Sequence, residues 1–456
     1  MSTFLDKTIL ALCFLLVFIL SIPGTMTLRY TIVLLLLLII FSMRKLWLND
    51  LKQICSEKSF KLFFLLIGSY VSYVLLHSLF LSHDVANSIS EFRSQIIYPV
   101  ITLFIGVSIS LIFSNNGKRK TENLFLSIFY AFLLHVIYIN LYAIWFYFSQ
   151  NEILRRFGGL MESPTYANYV TNIFLGILVA EVIYRLRSKE RFLRINNKLL
   201  IFSIGLTFFA TLIETVRLGD ITLAFLAILA AIFFLYKNQS FNRVKKYSIA
   251  SFLIFLLITP LFYNIYTDPR WIRLTKTVPI ALDTSAQNSF WRDEEILNAP
   301  KIDGRSIVGN SNYMRIAWAR QSLHYIKKNK LGIGFSRDAF GRTLKENFPL
   351  RRNKKDYLGM SSHSGIIDLA LGIGLPGVFL WTSIFIFLAK KSFTLFRKQI
   401  NFSSILLFIF ASGFFSRSIV DANIRDHMLL EFMFLLGIII VIIRNDEEEI
   451  NVKSQT

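Results

Sequence analysis

The sequence predicts an all-α polytopic integral membrane protein of about 12 transmembrane helices, with a large, partly helical loop on the outer face between helices 9 and 10. Three observations carry this reading. Mean hydropathy is +0.52, and hydrophobic residues make up 54% of the 456-residue chain, above the roughly 45–50% usual for soluble domains and gathered into long runs. Lys and Arg concentrate in alternate short connectors between those runs. Only residues 267–362 form a long polar stretch.

A helix rising about 1.5 Å per residue needs about 20 apolar residues to cross about 30 Å of hydrocarbon. Twelve stretches qualify or nearly qualify: 8–23, 29–43, 60–82, 96–114, 123–148, 167–184, 199–216, 219–236, 248–266, 374–389, 403–420 and 427–443. The first follows Lys7 and ends near Pro23 like a signal peptide. It lacks an obvious small-x-small cleavage pattern and another span follows at once, so it reads as a retained helix. Connectors after even spans are basic, with Arg44, Lys45, Lys52 and Lys58 after the second, Lys118, Arg119 and Lys120 after the fourth, and Arg185, Arg187, Lys189, Arg191 and Arg194 after the sixth. The pattern continues with Lys237, Arg243, Lys245 and Lys246, then with Lys390, Lys391, Arg397 and Lys398. Basic short connectors stay in the cytoplasm. Both termini are therefore expected inside and residues 267–362 outside. The chain divides into helices 1–9 (1–266), the outer loop (267–362), and a re-entry helix with spans 10–12 and a tail (363–456).

The formal charge of +21 does not require nucleic acid, because topology accounts for the connectors. The outer loop carries eighteen Lys or Arg against nine Asp or Glu, a surplus that points to an anionic partner such as a phosphorylated lipid or glycan. Within it, Ile316, Ala319, Leu323 and Ile326 recur at the spacing of one helix face over 311–328. Leu331-Gly332-Ile333-Gly334-Phe335 reads as a tight turn, and Gly372 to Gly377 should break a short helix before span 10. Asp446 to Glu449 form a solvated acidic tail. Cys13 and Cys55 fall in the first span and an inner connector, which implies no disulfide framework.

His363 stands where the loop re-enters the membrane, among small Ser361, Ser362, Ser364 and Gly365. An unperturbed imidazole, with a pKa of about 6.5, is available as a base near neutrality; the plainer alternative is an interfacial histidine capping a short helix. Arg217 lies in a connector so short that spans 7 and 8 must form a tight hairpin, and its fork suits a phosphate or diphosphate. An ion pair with Glu214 or Asp220 is the alternative. Arg315 is the better inward anion ligand on the loop helix; Arg320, five residues on, does not closely share its face. Arg155 and Arg156 offer a third basic site or plain charged-loop decoration. Trp271, Trp291 and Trp318 are candidates to stack on sugar rings or simple interfacial aromatics. There is no His-Glu-x-x-His, phosphate loop, dinucleotide fingerprint or Asp-x-Asp pair, and the six histidines show no metal-ligand spacing. No cofactor or metal is expected. Arginine electrostatics and one histidine remain.

These residues give the sequence a resemblance to the O-antigen ligase family, within the wider group of O-antigen polymerases and protein O-oligosaccharyltransferases. Thr215-Val216-Arg217 resembles its hairpin arginine, Arg315 with Trp318 its Arg-x-x-Trp element, and Leu331-Gly332-Ile333-Gly334 its Gly-x-Gly turn. His363 matches its essential histidine, and Gly374-Leu375-Pro376-Gly377 its glycine pair. Ser364 stands where the family often has Asn, and Gly372 where it often has an acid, leaving Asp368 as the nearest carboxylate. The resemblance implies metal-independent, inverting transfer of O-antigen glycan from undecaprenyl diphosphate to a sugar hydroxyl of lipid A-core, at the periplasmic face of a Gram-negative inner membrane. On that reading His363 is expected to act as general base and Arg217 and Arg315 to hold the diphosphate, with Arg155, Arg156, Trp318 and Arg320 as further candidate substrate contacts, Arg320 alternatively being simply solvated. Membrane lipids are expected partners and nucleic acid is not. A polymerase or protein oligosaccharyltransferase sharing the donor stays open, as does a non-enzymatic lipid or glycan transporter.

Overall fold

The computed structural model describes residues 3–115, 117–236, 241–284, 290–293, 299–302, 306–308, 310–348, 357 and 360–453. Each of the twelve apolar stretches is helical. They correspond to α1 (Thr3–Ile19), α2 (Met26–Ser42), α4 (Lys58–Phe80), the run of α5 (Val85–Phe92) into α6 (Tyr98–Ser114), α7 (Lys118–Gln150), α8 (Pro164–Ser188), α9 (Asn197–Glu214), α10 (Arg217–Leu235), α11 (Arg243–Thr267), α16 (Gly365–Lys398), α17 (Phe402–Val420) and α18 (Asp426–Lys453). Among the described residues, nine helices are long and apolar enough to cross a membrane, or ten if a bent pair is counted as one span. The protein is an all-α, multi-pass membrane protein. Its described β-structure is a two-residue antiparallel ladder of β1 (Lys301–Ile302) with β2 (Ser306–Ile307).

Two local features differ from a simple series of rods, and each has a cause in the sequence. The basic connector after α2 is itself a helix, α3 (Arg44–Ser56), turned 92° from α2. Buried Trp47 fixes the corner by donating its Nε1–H to the Ile40 carbonyl at 2.8 Å. Between α5 and α6 the turn Arg93–Ile97 widens to a π-helix just before Pro99. Pro99 has no N–H to return to the preceding turn, so the ladder adjusts there.

At the centre α18 packs against α6. Ninety-four per cent of the apolar window of α18 is buried. The approach depends on two glycines, since a Cβ at Gly106 would lie 2.2 Å from the Phe434 carbonyl oxygen and one at Gly437 would lie 2.4 Å from that of Leu103. Small residues that admit close backbone contact are the usual basis of helix association in lipid.

The polar stretch 267–362 folds over one end of the bundle as α12 (Pro269–Ala281), α13 (Phe290–Asp293), α14 (Asn310–Lys328) and α15 (Ala339–Asn347). It has its own core, built on Tyr313, Met314, Ala317, Trp318, Phe340 and Leu344. The turn 331–334 lies on the break in α16, where Gly374 adopts φ 71° and ψ −178°. Ile333 N–H donates to the Leu371 carbonyl, Gly334 N–H to Gly372 and Leu375 N–H to Lys330, each at 2.9 Å. The Gly-x-Gly turn and the glycines of the re-entry helix are thus two halves of one joint.

Candidate active site

The hairpin between α9 and α10 is built by polar contacts inside the bundle. Glu214, wholly buried at the end of α9, accepts hydrogen bonds from Asn168 Nδ2 at 2.9 Å and Thr171 Oγ1 at 2.6 Å, which pins α9 against α8. Thr215 then takes φ 45° and Arg217 opens α10. Asp220 accepts from Asn264 Nδ2 at 2.7 Å. These partners direct Glu214 and Asp220 into the bundle. Arg156, at φ 56°, donates its backbone N–H to Thr215 Oγ1 at 3.0 Å, so the connector between α7 and α8 is stitched to the same hairpin.

Arg217 Nη1 donates to Asn312 Oδ1, which ties the membrane hairpin to α14. That helix has two faces. Tyr313, Met314, Ala317 and Trp318 enter the loop's core, while Asn312, Arg315, Ile316, Ala319, Arg320 and Leu323 border the space beneath. Spacings of three and four residues generate this second strip. Arg320 therefore joins Arg315 on the same wall despite their separation of five, because long side chains reach round the helix. Among the described residues Arg315 has no hydrogen-bond or ion-pair partner.

His363 is held in a left-handed conformation, φ 58°, uncommon for a residue with a Cβ and costly unless the surroundings impose it. The surroundings do so through the small neighbours. Ser362 N–H donates to Asp368 Oδ1 at 3.0 Å, Ser362 Oγ donates to the Ser364 carbonyl at 3.0 Å, and Ser364 Oγ caps α16 by accepting from Ile367 N–H at 3.3 Å. Gly365 N–H donates to the Asp421 carbonyl at 2.9 Å. Trp318 stacks on the imidazole with ring centres 5.5 Å apart and planes 13° apart. Its Nε1–H is spent on the Trp291 carbonyl at 2.7 Å.

Together these groups enclose a cavity of about 550 Å³, in the range of ligand sites. Arg156, Arg217, Arg315, Arg320 and His363 all line it, with Thr215, Asn312, Ser362, Ser364 and Trp271; Ile221, Leu274, Ile316, Ile419 and Val420 give it apolar walls. Burial first, then the charges of Arg315 and Arg425, push the His363 imidazole down to about 4, against an upward pull from Asp421. Neutral imidazole therefore predominates at neutral pH, with a lone pair to accept a proton.

Five of the seven candidate site residues thus meet in one cavity. Arg155 is exposed and lies outside its lining. Trp318 and Trp291 are buried in the loop and lie outside the cavity's lining; of the three candidate tryptophans, Trp271 lines the cavity. Sequence reasoning missed Asn312, Asp421 and Arg425. Arg425 donates to the Arg337 carbonyl at 2.9 Å and to Ser361 Oγ at 3.3 Å. Asp421 pairs with Arg417 at 2.9 Å, and Arg417 also bonds the Thr165 carbonyl at 3.0 Å. The signal for that pair was available, because an acid four residues after an arginine at the end of an apolar helix places both on one face.

The fold and the cavity define a multi-pass helical membrane protein with a cationic, histidine-bearing site at one end of its bundle. Residues 202–382 match the family model described as O-Antigen ligase. The matched stretch holds Arg217, Asn312, Arg315 and His363. The family indicates an O-antigen ligase or polymerase type of membrane glycosyltransferase, acting on lipid-linked glycan. No curated protein matches the chain.

Proposed function

We propose that this protein is an O-antigen ligase that moves a glycan from undecaprenyl diphosphate to a sugar hydroxyl of lipid A-core, at the periplasmic face of a Gram-negative inner membrane. The observation that supports this best is the convergence of four arginines and one neutral histidine on a cavity with apolar walls. A diphosphate needs cations, and a polyprenyl tail needs apolar surface.

In this reading His363 takes the proton from the acceptor hydroxyl as its oxygen attacks the anomeric carbon. The bond from that carbon to the diphosphate oxygen breaks, and undecaprenyl diphosphate leaves with one more unit of negative charge. Arg217 and Arg315 stabilise that developing charge, which lowers the barrier more than it stabilises the bound donor. Direct displacement inverts the anomeric carbon, and no metal is required. Arg156 and Arg320 at the cavity, with Arg155 outside it, receive the anionic groups of donor and acceptor. Trp318 contributes by holding the imidazole.

The test is glycan transfer by purified protein with undecaprenyl diphosphate-linked glycan and lipid A-core, in the presence of a chelator. Wild type should form an inverted linkage to lipid A-core, and His363→Ala should not. Extension of the lipid-linked glycan without transfer to lipid A-core would replace the ligase with a polymerase. Retained anomeric configuration would exclude the single displacement.

A further inference from the structure

The carboxylate nearest His363 in sequence, Asp368, is more than nine-tenths buried one turn into α16. Its Oδ1 accepts the Ser362 N–H at 3.0 Å, immediately before the left-handed histidine. Its own N–H donates to the Ser364 carbonyl at 2.9 Å, immediately after it. The residue therefore clasps both sides of His363. Among the described residues its other oxygen, Oδ2, has no hydrogen-bond partner, and Asp368 is absent from the lining of the substrate cavity. Asp368 instead borders a separate small pocket with Gln95, Arg337 and Arg425, of about 30 Å³, the scale of a buried water.

We propose that Asp368 is a positioning residue that locks the strained turn of His363 and so aims the imidazole at the reacting hydroxyl. It does not exchange a proton with substrate. The argument is one of access and geometry. The substrate cavity is lined by Ser362, His363 and Ser364 but not by Asp368. A φ of 58° at a histidine persists only where neighbouring groups impose it, and the Ser362 N–H would otherwise be a buried donor lacking this acceptor. Helix capping by Ser364 and the Gly365 bond to Asp421 fix the downstream side of the turn; Asp368 alone among these groups holds the upstream amide.

This proposal rests on His363 being the base of the proposed transfer, and the experiment separates the two. Asp368→Asn keeps an acceptor oxygen of the same reach, whereas Asp368→Ala removes it. Hydrogen exchange of the peptide spanning 360–366 reads the turn without substrate, and steady-state transfer reads its consequence. Alanine should accelerate exchange there and lower kcat at least about tenfold, the size of one hydrogen bond lost from a charged acceptor, with donor KM changed less than about twofold. Asparagine should leave exchange, kcat and the pH profile as in wild type. Loss of activity with asparagine equal to that with alanine would give Asp368 a chemical role and overturn the proposal. Unchanged exchange with alanine would overturn it too. Should the alanine protein not fold, the asparagine arm decides alone, retained activity supporting the proposal and lost activity overturning it. A wild type that transfers no glycan would refute the proposed function while the exchange comparison still judged Asp368.

Discussion

In the proposed transfer His363 accepts a proton while surrounded by cations, and this tension sets its expected pH behaviour. Burial, Arg315 and Arg425 hold its pKa at about 4 before substrate binds. Since only neutral imidazole is a base, the acid limb of kcat/KM should lie well below pH 6, toward 4. A bound diphosphate brings negative charge that favours imidazolium, so the limb of kcat should sit at higher pH than that of kcat/KM. Arg315→Gln removes one of the depressing charges and should shift the kcat/KM limb upward while weakening donor binding; a pH–rate series with both proteins checks this. Trp318 gives a second residue-scale prediction. As it stacks on His363 rather than facing the cavity, Trp318→Leu should lower kcat several-fold and leave acceptor KM nearly constant, the reverse of a sugar platform. These roles were partly legible. Arg217 and His363 stand out in the sequence at the ends of spans and Arg315 on the loop helix, but the direction of an indole depends on which face of α14 the loop's core takes, and that is decided by tertiary packing.

At the scale of elements, the joint between the turn 331–334 and the broken α16 explains two glycine patterns at once. Gly332 and Gly374 take φ of 83° and 71°, and a Cβ on Gly374 would lie 2.4 Å from the Leu331 carbonyl carbon. His77 Nε2 lies 2.7 Å from the Leu331 carbonyl oxygen, and Tyr73 donates its hydroxyl to the Ile373 carbonyl at 2.8 Å, so α4 grips both halves. Gly374→Ala should therefore destabilise the protein by at least about 1–2 kcal/mol from the left-handed backbone alone, with a lower melting temperature and reduced transfer as the re-entry helix shifts. The break itself was visible in the glycines and Pro376. What they dock against was not, because the partner turn lies forty residues away and its hydrogen bonds run through backbone atoms that carry no sequence signature. Helix α14 shows the same limit from another side. Its apolar periodicity marked a helix, yet Ile316, Ala319 and Leu323 border the cavity while Tyr313, Ala317 and Trp318, with Ile326, enter the loop's core.

For the whole molecule, hydropathy alone was enough to mark twelve stretches as helical, since an apolar run in lipid must satisfy its backbone internally, although among the described residues nine helices, or ten with the bent pair as one span, are long and apolar enough to cross. It could not reveal α3, whose mixture of Arg, Lys and Leu resembles a connector, nor the α6–α18 contact, which rests on single glycines. Sidedness is the remaining global property, and the charge pattern makes a definite prediction. Short connectors rich in Lys and Arg resist translocation, whereas a long segment can cross despite its charge, so 267–362 is expected outside despite its net +9. The native thiols provide a reporter, because Cys13 is buried and Cys55, on α3, is partly accessible. In sealed right-side-out vesicles a membrane-impermeant maleimide should leave Cys55 unlabelled until the membrane is opened. A Lys328→Cys variant, at the exposed end of α14, should label at once. Labelling of Cys55 from outside with protection of residue 328 would invert the bundle, put the cavity in the cytoplasm, and exclude lipid A-core transfer at the periplasmic face whatever the chemistry of His363.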